Sequence, residues 1–274
     1  MNQFNYGQTK ELSKKIRIHS INMASKGGSS HIASVFSIAD ILAVLYENVL
    51  NYDPRNPNMY DRDRFILSKG HAGAGVYAVL AEKNFFSVDE LTKHYQNGSN
   101  FSGHISHKNI PGVEISTGSL GHGLPVSVGI SLAAKLNNHN YMIYVILSDG
   151  ECDEGSNWEA ALFAAHHKLD NLVVIIDRNN LQSIKSTEDT LALEPLEDKW
   201  ASFGWSTKVV DGHNLKELIE VLDKKNIISN KPKCIIANTI KGKGVSFMEN
   251  NNLWHYRSPK GKEFNDALLE LSKS

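Results

Sequence analysis

Two rhythms of apolar positions run along the chain. Between residues 9 and 26, Leu12, Ile16, Ile18 and Met23 partly repeat at helical spacing, which predicts a first helix. A second is expected from Ser37 to Val49, with Ser37 as its N-cap. A turn rich in Pro and Asn follows over Asn51 to Asp61. Then Phe65-Ile66-Leu67, a short apolar run ending at Ser68-Lys69-Gly70, reads as a buried strand, and His71 to Lys83 as the helix after it. The same reading gives strands at Tyr141 to Leu147, Leu172 to Ile176, Ser206 to Val210 and Lys233 to Asn238. It gives helices at Leu124 to Leu136, Asn157 to Leu169 and 214–228. Residues 97–122 keep no period and are rich in Gly and His. Long irregular stretches inside compact domains usually carry function.

Continuous apolar strands alternating with helices predict an α/β fold, a parallel sheet with helices on both faces. With no repeat, low-complexity tract or linker, residues 1–274 read as a single domain. Ligands of such sheets sit beyond the carboxyl ends of the strands. That directs attention to the loops after Leu67, Leu147, Ile176 and Asn238.

Composition narrows the function classes. The chain is 41% hydrophobic and 22% charged with a formal net charge of −1, and both signs are spread along it. This predicts neither a nucleic-acid nor a membrane partner. No window is expected to approach the roughly 18 apolar residues that span a bilayer. The start, MNQFNYGQTKELSKKIRIHS, lacks the apolar core of a signal peptide. Cys152 and Cys234 are the two cysteines, far apart, and read as thiols rather than a disulfide framework. A cytoplasmic protein is expected.

The loops hold the chemistry. The strand YMIYVIL runs into Ser148-Asp149-Gly150-Glu151, and about thirty residues on LVVII ends in Asp177-Arg178-Asn179-Asn180. If the two strands are neighbours, Asp149 and Asn179 lie side by side. A carboxylate and an amide oxygen suit Mg²⁺, or Ca²⁺ in its place, completed by diphosphate oxygens and water. A plain turn and cap is the alternative for each site alone, and Asp177 competes with Asp149 as ligand or orients the turn. Ser68-Lys69-Gly70-His71 follows a strand and opens a helix, a natural anion site. Gly118 and Gly121, in IPGVEISTGSLGHG, allow backbone to approach a ligand without a Cβ.

Together with EGSNWEAALFAAHHKLDNLVVIIDRNN, these segments resemble the transketolase family across most of the chain, from the first helix to about His255. The resemblance implies thiamine diphosphate as cofactor, with Asp149, Asn179 and the Leu181 carbonyl as metal ligands. It places His71, Gly118, Ser119, Leu120, Gly150, Glu151, Asn179, Lys241 and His255 at the cofactor. His31, His104 and His255 would act on the substrate, a sugar phosphate. The departures are Ser148 where the family has Gly, SKGHA where it has SNGHA, and altered flanks around His31. His122 carries less weight than His104, and Lys243 stays neutral beside Lys241. Glu154 matches a family Glu at the subunit contact; Trp158 and Trp200 read as core or interface aromatics.

Transketolases move a two-carbon ketol unit from a ketose phosphate to an aldose. The pyrimidine-binding domain of a full-length family member would follow residue 274. The resemblance therefore implies a second chain carrying that domain, and self-association of this one into a dimer core. A 2-oxoacid dehydrogenase subunit or a deoxyxylulose-phosphate synthase is the enzymatic alternative, and a non-catalytic relative is the alternative from another class. The segments WEAALFAAHHKLDNL and PGVEISTGSLGHG argue against the former; Asp149, Asn179, His71 and Gly118 argue against the latter.

Overall fold

A computed structural model describes residues 5–273. Five strands form one sheet: β1 (Arg64–Leu67), β2 (Ile143–Ser148), β3 (Leu172–Arg178), β4 (Ser206–Asp211) and β5 (Lys233–Asn238). Their spatial order is β1-β2-β3-β5-β4, and every pairing is parallel. β2 and β3 are buried at every position. Their alternate residues therefore feed two cores. Tyr144, Ile146, Val173 and Ile175 face one side, and Val145, Leu147, Val174 and Ile176 face the other.

The first face is covered by α1 (Tyr6–Gly27), α2 (Ile32–Val44), α3 (Gly73–Glu82), α8 (Leu215–Leu222) and α9 (Lys262–Lys273). The second carries α4 (Gly123–Leu136), α5 (Gly155–His166) and α7 (Leu196–Ser202). Helices on both faces of a parallel sheet are what its continuous apolar strands require. α6 (Thr187–Thr190) is a single turn in the loop after β3.

Several expectations need correction. Ser37 does not cap a helix: α2 starts at Ile32, with His31 at the cap in the left-handed region (φ 71°). Ser37 lies inside it, its hydroxyl donating to the Ser34 carbonyl and to Asp177, the usual resort of a mid-helix serine. The helix expected from His71 opens with a 3₁₀ turn, Gly70–Ala72, before α3. α5 stops at His166 because Lys168 takes a positive φ, and α8 stops at Leu222. α6, α7 and α9 lie outside the helices predicted from the sequence. Ile32–Val49, as α2 continued by a π-helical turn, is also apolar and long enough to cross a membrane, contrary to expectation. It is the central helix of the first core, with 78% of that window buried.

Candidate active site

The parallel register decides the geometry. Ser148 is level with Asp177 and Arg178 is level with Asn238, so the loops after β2, β3 and β5 leave the same sheet edge side by side. A cleft of about 240 Å³ opens there. It is lined by Asp149, Gly150, Asn179, Leu181 and Lys241 from the loops after β2, β3 and β5, and by His31, His71, His104, His255 and Tyr256 from other segments. Larger grooves, beneath α1 and beside β4, gather no comparable set of groups.

Asp149 is 1% exposed. Its carboxylate accepts from the Gly150 and Asn180 amides, at 2.8 and 2.6 Å. Burial, reinforced by Asp177, pushes its carboxyl up to about 6. Such a carboxylate gains from a cation beside it. Asp177 is not free to be that cation's ligand. One oxygen takes the Thr239 hydroxyl; the other takes Ser37 at 2.7 Å, the Lys69 ammonium at 2.5 Å and the Asn179 amide at 2.9 Å. Burial opposes its ionisation, but Lys69 and these hydrogen bonds hold the carboxyl below its ordinary range. Because Asn179 donates its amide nitrogen to Asp177, its Oδ1, which accepts the Leu181 amide at 3.2 Å and keeps a second lone pair, is the end that can meet a ligand. Asp177 is therefore the orienting group.

The Leu181 carbonyl accepts from the Lys241 ammonium at 3.1 Å, so a positive charge already stands against it. Among the described residues no cluster of three or more His, Cys, Asp or Glu side chains could hold a metal unaided. One carboxylate, one amide and one carbonyl suit a hard cation that draws its remaining oxygens from a diphosphate and water. The donor set thus fits a metal shared with the cofactor.

Lys241 is 1% exposed, not a solvated basic loop residue. Its ammonium also reaches the Gln182 carbonyl at 3.1 Å and His255 Nδ1 at 3.0 Å. Burial, with Lys69 nearby, pulls it down to about 8, against Asp149 and Asp177. Lys243 instead lies partly exposed, 3.7 Å from Glu249.

The histidines converge from separate loops. The His31 ring centroid lies 5.2 Å from His71, 5.5 Å from His104 and 4.8 Å from His255. The His31 amide donates to the His255 carbonyl at 2.8 Å, tying two of these loops together. His31 keeps its strained backbone and has a buried Nδ1 without a partner. Strain and an orphaned polar atom together mark functional positions. Burial first, then the neighbouring His104, Lys241 and Lys69, lowers His31 to about 4. Burial, Lys241, His31 and Lys69 lower His255 to about 3. His71 is lowered well below its ordinary value, again chiefly by burial. These imidazoles are neutral at pH 7, so proton transfer from a pKa near neutrality does not describe the cleft as it stands. Their shared and largest cause is burial; the positive neighbours Lys69 and Lys241 add to it, and that part a diphosphate would offset.

The irregular stretch 97–122 forms the roof. The Ile105 amide donates to the Gly70 carbonyl at 2.9 Å, and the Tyr77 hydroxyl to the His104 carbonyl at 3.1 Å. Gly70 tolerates no side chain, since a Cβ would meet the Thr117 carbonyl oxygen at 2.3 Å. Gly121 takes a positive φ against Glu154 and Ser156.

Gly118 and Leu120 line the cleft; Ser119 is exposed and does not. Glu151 does not line it either. It is fully buried beneath, where its carboxylate gathers Ser68, the Gly121 amide at 2.9 Å and the Ser148 amide at 3.2 Å. It holds the loops rather than facing a ligand. His122 is exposed at the start of α4, and Glu154 is exposed at the start of α5. Trp200 is core, and Trp158 packs against it with the rings tilted and their centroids 5.5 Å apart. Lys69, Gln182 and Tyr256 were missed as lining residues. For Lys69 a signal existed: a lysine at a buried strand end needs a carboxylate, and Asp177 ends another buried run, two strands away in the sheet.

Comparison with known proteins decides among the readings. Residues 8–267 match the family described as transketolase, thiamine diphosphate binding domain. The chain belongs to the transketolase family. It is 43% identical to an apulose-4-phosphate transketolase subunit of Actinobacillus succinogenes, with 99% of each chain covered. It is 39% identical to a 6-deoxy-6-sulfo-D-fructose transketolase subunit of a Clostridium species, with 94% of each covered. The crystal structure of Campylobacter jejuni transketolase superposes with a TM-score of 0.91 at 30% identity, covering 98% of this chain and 43% of that one. This chain thus spans about two fifths of that transketolase, the part that carries the thiamine diphosphate-binding domain. It is a transketolase subunit, and its cleft lies where the parallel sheet of that domain opens.

Proposed function

We propose that this transketolase subunit holds thiamine diphosphate through Mg²⁺ and transfers a two-carbon ketol unit from a ketose phosphate to an aldose, as half of an α₂β₂ assembly in the cytoplasm. The observation that carries this is Asp149 and Asn179 on adjacent strand ends, facing His31, His71, His104 and His255 across one cleft. Asp149, Asn179 and the Leu181 carbonyl would hold the metal. Lys241, His71 and Gly150 would meet the diphosphate, and Gly118 and Leu120 the cofactor rings. When bound, thiamine diphosphate supplies the electron sink for breaking and making the carbon–carbon bond.

His31, His104 and His255, close-packed in the cleft, are suited to hydrogen-bond sugar hydroxyls and pass protons among them. The substrate class follows the relatives, whose names give a ketose bearing a terminal phosphate or sulfonate. The changed flanks of His31 favour such a specialised donor over the pentose-phosphate sugars. Relatives named as transketolase subunits, rather than as whole transketolases, support a partner chain bearing the pyrimidine-binding domain. Isolated chain should show no ketol transfer from any ketose phosphate, and activity should appear on adding that partner. Robust turnover by the chain alone would refute this reading.

A further inference from the structure

Behind the cleft lies a buried polar cluster that the proposed function does not use. Arg17 on α1 and Asp40 on α2 pair at 2.6 Å, with side chains 8% and 14% exposed. The second arm is His213, in the turn between β4 and α8, whose Nδ1 lies 2.7 Å from Asp40 Oδ2. The far side of that ring accepts the backbone N–H of Ile240, at 2.8 Å from Nε2. An amide N–H only donates, so Nε2 carries the lone pair and Nδ1 the proton, and the partners dictate a neutral tautomer. Asp40 is kept charged to receive that proton. Burial pushes its carboxyl up, but Arg17 and the hydrogen bonds from His213, Arg17 and Ser13 hold it well below the usual carboxylate range.

The two arms of the cluster grip the chain on either side of one residue. His213 takes the amide of Ile240, and Arg17 Nε donates to the Lys243 carbonyl at 3.0 Å. Between them stands Lys241, whose ammonium enters the cleft. Other anchors secure the same loop, Thr239 on Asp177 and the Gly242 amide on the Ala33 carbonyl at 2.9 Å. The loop contains two glycines with positive φ, Gly242 and Gly244. A glycine-rich loop has conformational freedom that must be removed if one ammonium is to stay within hydrogen-bond reach of the site.

We propose that Arg17, Asp40 and His213 form a clamp that sets Lys241, with His213 as the positioning residue that fixes the backbone at Ile240. This rests on the reading that Lys241 meets the cofactor diphosphate.

The test uses the full chain with thiamine diphosphate and Mg²⁺, reading cofactor affinity by calorimetry and amide exchange over residues 239–243. His213→Gln can offer its Oε1 where Nε2 stood and still accept from Ile240. His213→Asn can satisfy Asp40 but falls short of Ile240. Asn and Ala should speed exchange of the Ile240 amide and weaken cofactor binding by about tenfold, while Gln keeps both within about twofold of the parent. Lys241→Met should weaken binding too, and adding His213→Ala to it should weaken it no further. If His213→Ala costs the same affinity in the Lys241→Met background, the histidine serves the fold at large and the clamp is overturned. The clamp equally fails if Lys241→Met weakens binding and the Asn and Ala variants do not. Should Lys241→Met leave affinity unchanged, the reading of Lys241 fails instead. Where the Ala variant does not fold, the Gln and Asn pair carries the comparison.

Discussion

The two walls of the cleft are built by different means. Asp149 and Asn179 sit at the ends of β2 and β3, adjacent strands whose pairing runs unbroken from Ile143 to Ser148. Their spacing is set by the sheet itself. His31, His71, His104 and His255 come from four separate segments and meet only through contacts between loops, such as His31 to His255 and Ile105 to Gly70. The strand wall is rigid, charged and pinned by Asp177. The histidine wall is strained at His31 and carries an unpartnered nitrogen there. A rigid wall suits holding a cofactor, and a wall of independent loops suits adjusting to a substrate.

Breaking the strand wall should have the largest effect. Asp149→Ala removes the one carboxylate expected on the metal, so metal-dependent cofactor binding should vanish while the circular dichroism spectrum stays that of the parent. Calorimetry with thiamine diphosphate and Mg²⁺ is the measurement, and unchanged affinity would sink the assignment.

Next comes the hub beneath it. Asp177→Ala leaves the Lys69 ammonium, fully buried, without its carboxylate. Breaking a buried pair from one side costs about 3–5 kcal/mol. Urea unfolding should show a loss of that order, and a loss below about 1 kcal/mol would mean that Lys69 finds another partner.

The histidine wall should divide by function. His31→Ala and His104→Ala are expected to lower turnover or raise KM about ten- to a hundredfold with cofactor affinity nearly kept, whereas His71→Ala should chiefly weaken the cofactor. One shared phenotype for all three would mean that the roles within the histidine wall are misassigned.

The smallest effect concerns pH. His94, outside the cleft, is lowered to about 4 by burial alone. Between its unfolded value of about 6.5 and that folded value, the unfolded chain binds a proton that the folded one does not. Stability should therefore fall as pH drops through this window and show no contribution from His94 above it. His94→Gln should flatten the slope between pH 6.5 and 4 in thermal melts, with or without cofactor. His31 is lowered by cleft cations as well as by burial, so its share should change when the anionic cofactor binds.

The strand wall was legible in the sequence, because an aspartate or asparagine just after a fully apolar run is local information, and parallel pairing of such runs is nearly forced. Glu151 shows the limit. It shares that loop with Asp149 and Gly150, yet it turns down to collect Ser68, Gly121 and Ser148. No spacing rule says which of two neighbouring carboxylates faces a ligand. Ser37 is a parallel case, a good cap by type that became an inward donor to Asp177 once α2 began at Ile32.

By itself, then, the sequence determined the strands, the burial of β2 and β3 on both faces and the ends at which ligand-binding groups would gather, since apolar periodicity and strand-end chemistry are properties of short segments. Tertiary structure alone decided that Glu151 would turn beneath the cleft rather than face it, and that His213 would stand behind it. Each of these depends on residues dozens of positions apart meeting in a low-dielectric interior. There a buried charge or donor must find its partner, and only the packed fold determines which partner is within reach.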